Sequence, residues 1–287
     1  MRLLWADDQR TFAGAKYGFS IHSLKMRQAL TAAGVTIYSN PSEVDASVIA
    51  VHIQTPDHFR PIPGRRNLLF TMNEMTPAHK QIRAEAAKLA DIIVTPCAFC
   101  AREYAQFCSA PIHICPEGVD PALFPHHARA EPGPDKPFRF LFVGADFFTA
   151  YKGGMFLLSA WKKWLKSGRM PSNVQLYIKT SDIPGSEIRL YTAKDGDLLE
   201  SWWSAEFPPA LAKAWEGMAP KKPSMIIDVR NLPLSELVAL YNSAHAFVLP
   251  TPGEGWALTL TDAMATGAPC SWSHNTAMLD YADGTIG

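Results

Sequence analysis

A chain of 287 residues is long enough for two domains of ordinary size, each with its own core. With 47% hydrophobic and 19% charged residues it reads as globular; Lys plus Arg and Asp plus Glu both number 27, and this balance argues against general nucleic-acid binding and against strong attraction to an anionic membrane. Five cysteines, an odd number in a chain of this length, fit a reducing cytoplasm better than a disulfide framework.

Met1 leads directly into strand-like Leu3-Leu4-Trp5, without the basic and apolar regions of a signal peptide, and no apolar run approaches a membrane span. A cytoplasmic location is the expectation. Further strands are expected at Val35–Tyr38, Val48–His52, Leu68–Met72, Asp91–Thr95 and Ile112–Cys115. Helical spacing covers Ser20–Ala33, closed by Gly34, then Thr76–Leu89 with Pro77 at its first position, then Ala98–Phe107. Strands alternating with helices predict a doubly wound parallel sheet. From Pro116 to Pro137 the periodicity stops among six prolines, which reads as a linker.

A second alternation follows. Strands are expected at Phe138–Val143, Val174–Lys179, Ser224–Val229 and Ala246–Leu249, with a helix bearing Leu157, Leu158, Trp161, Trp164 and Leu165 and another at Pro233–Ser243. The expected domains are 1–127, a linker at 128–137, and 138–287, an α/β arrangement of two Rossmann-like doubly wound domains facing across a cleft. The Trp-rich segment 181–222 reads as a helical insertion, packed on the second domain or serving as a lid or partner surface. Neither first strand is followed by Gly-x-Gly-x-x-Gly, which counts against a dehydrogenase.

The stretch Pro250–Pro269 carries the chemistry. It leaves a buried strand, passes Gly253, Glu254 and Gly255, and opens into a helix containing Asp262, on one face with Leu258 and Ala265. A helix N-terminus beside glycines suits an anion, because free N–H groups and the helix dipole both favour negative charge. Carboxylates beside it would accept bonds from hydroxyls. Phosphate and hydroxyl sites side by side suit a nucleotide sugar. Lys152 before Gly153 adds a point cation for phosphate, and Lys179 is a second candidate. On the other domain Gly14 and Gly18, in the turn between the first strand and the first helix, and Glu74, at a strand end, are acceptor-side candidates. His22, His52 and His245 read as structural, and Cys97, Cys100, Cys108 and Cys115 as buried thiols rather than zinc ligands.

Several stretches, in order, resemble the retaining glycosyltransferases of the GT-B fold, family 4 or glycosyltransferases group 1. They are Thr71-Met-Asn-Glu74 with Pro77, Asp91-Ile-Ile-Val-Thr-Pro96, Glu117-Gly-Val-Asp120 with Phe124, Phe140-Leu-Phe-Val-Gly144 with Lys152-Gly153, and the Glu254 to Asp262 stretch. The family has Gly-Phe-Gly where this chain has Gly255-Trp256-Ala257, Glu where it has Asp262, and an Arg ahead of the turn lysine. It also continues into closing helices, so the second domain is expected to lack them.

The resemblance implies a glycosyltransferase moving a sugar from a UDP-, GDP- or ADP-linked donor to a hydroxyl acceptor such as a saccharide, with retention and without a metal or other cofactor. Glu254 and Lys152 are its catalytic residues, and Gly153, Lys179, Gly255, Trp256, Ala257, Leu258, Thr259 and Asp262 its donor contacts. Nucleic acid is not an expected partner, and membrane contact is not indicated. An inactive or truncated module that binds a nucleotide or partner without turnover is the alternative, as is an epimerase or hydrolase on the same architecture.

Overall fold

The structure, a computed structural model, describes residues 1–6, 18–74, 85–133, 136–145, 147, 152–180, 188–191 and 225–282. Among them the chain packs as two compact units. The first holds 1–118 and takes back 253–258 and 274–282; the second holds 119–252 and 259–273. The sequence reading places one cut, at 128–137, whereas the packing places its first boundary after Gly118 and returns two later stretches to the first unit.

The first unit is a six-stranded parallel sheet of β1 (Arg2–Trp5), β2 (Thr36–Tyr38), β3 (Ala50–Ile53), β4 (Asn67–Phe70), β5 (Ile92–Thr95) and β6 (Ile112–Ile114), in the order β2-β1-β3-β4-β5-β6. Alternation along the strands sends side chains to both faces. Leu3, Trp5, Val51, Ile53 and Phe70 form one core with Phe19, Met26 and Leu30 of α1 (Gly18–Ala32). Leu4 and Ala50 face the other way and pack with Val44 and Val48. Leu69, Ile93 and Tyr104, the last from α2 (Ala98–Ala105), build a third cluster. Both faces are covered, as parallel sheets require. Of the helix expected at 76–89, residues 85–87 are helical and 75–84 lie outside the described residues.

The second unit holds β7 (Phe138–Val143), β8 (Val174–Lys179), β9 (Ile188–Tyr191), β10 (Met225–Asp228), β11 (Ala246–Leu249) and β12 (Cys270–Trp272), in the order β12-β11-β7-β8-β10-β9. All pairs are parallel except β9 with β10. Its helices are α3 (Gly154–Lys166), α4 (Leu234–Asn242) and most of α5 (Leu258–Ala265), while α6 (Met278–Tyr281) counts with the first unit. Phe140, Trp161 and Trp164 meet edge-on between β7 and α3. Segment 181–222, read as a helical insertion, contains the antiparallel edge strand β9. Its Trp202, Trp203 and Trp215 lie outside the described residues.

The proline-rich linker is anchored. Arg129 donates to Ala244 O at 2.6 Å, Gly267 O at 2.9 Å and Thr266 O at 3.0 Å, which satisfies carbonyls just past the ends of α4 and α5. No helix among the described residues is long and apolar enough to cross a membrane.

Candidate active site

In each sheet the chain works outward from its first strand on one side and then returns to the other. That places topological switch points between β1 and β3 in the first unit and between β7 and β11 in the second. Ligands of open α/β sheets bind beyond the carboxyl ends of the strands at these points.

In the second unit the two switch strands are followed by the segments that sequence singles out. Beyond β7, Gly153 takes a left-handed conformation (φ 71°) and caps α3. Its backbone lies against Pro250, the residue after β11, so closely that a Cβ would overlap the Pro250 carbonyl oxygen. Glycine is required there twice over, by conformation and by space. The next residue, Gly154, lies as tightly against the Phe147 carbonyl. Thus Lys152 sits at the start of α3, whose first turn carries no acid, beside the loop leaving β11. Lys179 ends β8, and its Nζ donates to Thr180 O at 2.9 Å.

Asp262 lies inside α5, and burial pushes its carboxyl from 3.8 up to about 7. Its charge in turn adds to the burial that raises the fully buried Tyr241 hydroxyl well above its ordinary range. Thr259 is in the first turn of α5, in which there is no acidic side chain.

Gly253 to Leu258 pack with the first unit. Glu254 is 7% exposed. Its N–H donates to Thr276 Oγ1 at 2.9 Å, and its carbonyl accepts from Ala277 N at 3.3 Å. Gly253 presses on the backbone of Glu74, whose carbonyl oxygen a Cβ would overlap. The sequence-predicted Glu74 and the Glu254 loop are therefore brought together. The strand end carrying Glu74 is itself held, since Tyr104 donates to Met72 O at 3.2 Å and Asn73 N–H to Cys100 Sγ at 3.3 Å.

Cys97 and Cys100 have a structural role here. Both thiols approach the Gly255 carbonyl, at 3.6 and 3.7 Å, and pin the loop from the side of α2. Trp256 stacks on Tyr281 at 4.5 Å, and the Tyr281 hydroxyl donates to the Trp256 carbonyl. Burial raises the Tyr281 hydroxyl, and the Glu254, Cys97 and Glu117 charges push it further. Two residues of this loop system, Ala257 (φ 72°) and Thr276 (φ 46°), adopt left-handed backbone without being glycine. Such strain persists only where surrounding contacts impose it and clusters at ligand sites.

Of the remaining candidates, Gly18 begins α1 and is exposed, and Gly14 lies outside the described residues. Among the described residues no three His, Cys, Asp or Glu side chains gather as a metal site. His52 and His245 are structural. His52 Nε2 meets Asn67 Oδ1 at 3.0 Å, while His245 meets Arg139 N at 3.0 Å and Ala130 O at 2.9 Å. Sequence reasoning missed the supports Thr276 and Tyr281, because a lone Thr and Tyr in a short segment carry no periodic signal.

No protein-family model matches the chain, and no curated protein matches it. Solved structures do match its fold. Sucrose-phosphate synthase from Thermosynechococcus elongatus aligns with a TM-score of 0.63 at 14% identity, over 96% of this chain and 82% of that one. A UDP-forming α,α-trehalose-phosphate synthase from Burkholderia xenovorans, in complex with glucose-6-phosphate, aligns with a TM-score of 0.54 at 13% identity, over 92% and 64%. The E. coli trehalose-6-phosphate structure bound with UDP-2-fluoro glucose aligns with a TM-score of 0.54 at 11% identity, over 88% and 63%. The chain thus spans less than two thirds of the last two. At these identities the likeness establishes architecture, and the architecture of this chain is the α/β GT-B fold of glycosyltransferases.

Proposed function

We propose that the protein is a glycosyltransferase that moves a sugar from a nucleotide-diphosphate sugar to a hydroxyl of a saccharide acceptor, with retention of anomeric configuration. The observation that carries this reading is the close approach of Gly153 to Pro250. It joins the loops beyond β7 and β11 at a switch point, with Lys152 and the N-terminus of α3 at the junction. A lysine and a helix N-terminus there suit a diphosphate. Two structural neighbours hold UDP-2-fluoro glucose and glucose-6-phosphate respectively, which supports a nucleotide-sugar donor and a sugar acceptor.

In this reading Lys152, Lys179, Gly153 and the amides of Leu258 and Thr259 carry the diphosphate and meet the charge that grows on it as it leaves. Gly255, Trp256 and Ala257 shape the loop, Glu254 accepts bonds from donor-sugar hydroxyls, and Asp262 bonds the ribose hydroxyls. The acceptor oxygen forms its bond to the anomeric carbon on the face from which the phosphate departs. The anomeric carbon–oxygen bond to phosphate breaks, and the acceptor proton passes to the departing phosphate oxygen. The protein contributes positioning and electrostatics, and no metal is required. Free thiols at Cys97 and Cys100 fit action in the reducing cytoplasm.

Incubation with UDP-, GDP- and ADP-sugars, with and without saccharides, tests the proposal by nucleotide release and by the anomeric configuration of the product. Release of nucleotide that depends on acceptor and is lost in Glu254→Gln supports transfer. Absence of calorimetric binding to every donor refutes it, and binding without turnover that Glu254→Gln leaves unaltered assigns the protein to the non-enzymatic alternative.

A further inference from the structure

We propose that His22 and Glu117, neither of which has a part in the scheme above, form a hydroxyl-binding pair of the first unit that takes a hydroxyl of the saccharide acceptor. His22 lies in the first turns of α1, the helix that follows switch strand β1, and Glu117 follows β6. Both are therefore at the carboxyl edge of the first sheet. Their side chains are 6% and 5% exposed, and Nδ1 of His22 stands 2.8 Å from Oε1 of Glu117. The imidazole is held edge-on against Phe70 at 4.4 Å.

This pair is buried but unsatisfied. The carboxylate oxygen 2.8 Å away favours the tautomer with its proton on Nδ1. Yet this contact is not a well-aligned hydrogen bond, and among the described residues His22 Nδ1, His22 Nε2 and Glu117 Oε1 have no hydrogen-bond partner. Each such atom costs about 1–3 kcal/mol, and native structures rarely carry three together without a reason. His52 and His245, buried or half-buried as well, have well-aligned partners. The contrast singles out His22.

The chemistry that completes the pair is narrow. A phosphate is repelled by the carboxylate, and a metal ion lacks a third ligand, since no such cluster exists among the described residues. A hydroxyl serves both partners, donating to Glu117 Oε1 and accepting from the ring N–H, with Nε2 left to take a bond from a neighbouring hydroxyl of the same sugar. Glu117 also lies near enough to Tyr281 for its charge, with that of Glu254, to act on the phenol. The pair thus shares the neighbourhood of the Glu254 loop within the first unit. Assigning the hydroxyl to the acceptor rests on the transferase reading, whereas the existence of a hydroxyl site does not.

Nitrogen-15 spectra of the histidine rings in the full-length protein, titrated with glucose, sucrose and glucose-6-phosphate in the presence of UDP, GDP or ADP, test the pair directly. Saturable movement of the His22 ring signals on saccharide addition is expected. Unmoved signals, as when the pair holds only water, overturn the proposal. In turnover assays His22→Ala and Glu117→Ala raise the acceptor KM about tenfold, the loss of one hydrogen bond, with the donor KM unchanged and His22→Gln restoring part of the loss. An equal rise in donor and acceptor KM, or no change in either, refutes the assignment. Failure of every donor to turn over removes the transferase reading alone, because the ring titration still decides whether the site binds a saccharide hydroxyl.

Discussion

Replacing Asp262 by Asn removes a carboxyl that the second unit buries, and the consequence for stability has a calculable sign and size. Burial is the sole cause that lifts this group from 3.8 to about 7. The folded protein therefore holds the proton more tightly than the unfolded chain. The resulting stability is complete below about pH 4, falls as pH rises towards 7 and is level beyond it. At 1.36 kcal/mol for each pH unit between the two values, the ceiling is about 4 kcal/mol, of which roughly 3 kcal/mol is lost above pH 5. Urea unfolding followed by tryptophan fluorescence at pH 5, 6, 7 and 8 reads it out as the difference in slope between the natural protein and Asp262→Asn, because all other titrations are common to both. The variant is expected to keep its stability over that range while the natural protein declines. Parallel pH profiles would refute the burial argument.

Two glycine-related substitutions test the loops. Ala257→Gly relieves a left-handed alanine, a strain of about 1–2 kcal/mol, part of which is offset by the extra freedom of glycine in the unfolded chain, about 0.4–1 kcal/mol. Thermal unfolding should therefore shift upward by the equivalent of about 0.5–1 kcal/mol, and a downward shift contradicts the strain assignment. Gly153→Ala imposes both an unfavourable φ and an overlap with the Pro250 carbonyl. A loss of about 2–5 kcal/mol is expected, together with at least tenfold weaker nucleotide-sugar binding by calorimetry. Unaltered binding would remove the turn from the diphosphate site.

The alternation of strands and helices was legible because each parallel strand buries both faces and each helix one, so the pattern repeats locally. Val174–Lys179 and Ala246–Leu249 coincide with β8 and β11 for that reason. The edge strands β9 and β12 were not legible. Cys270-Ser-Trp272 is three residues long, pairs on one side only and follows a proline, so nothing in its composition distinguishes it from a loop. The proline-rich stretch after Pro116 has no periodicity either, and Arg129 is held by acceptors more than a hundred residues away. At the site, the glycines and carboxylates were legible as residue types, and Ala257, where the resembled family has glycine, acquires a physical meaning only from its backbone angle.

By itself the sequence determined the α/β class and the two successive sheets, since periodicity is a local property, while its motif stretches carried the resemblance to a GT-B architecture. Tertiary structure decided which unit each site segment joins. The loop carrying Glu254 packs with Glu74, Thr276 and the Cys97 and Cys100 thiols, whereas Lys152, Lys179 and Asp262 belong to the second unit. It also brought His22 to within 2.8 Å of Glu117. These meetings join residues far apart in the chain, and they are set by packing within each unit rather than by any spacing along the sequence.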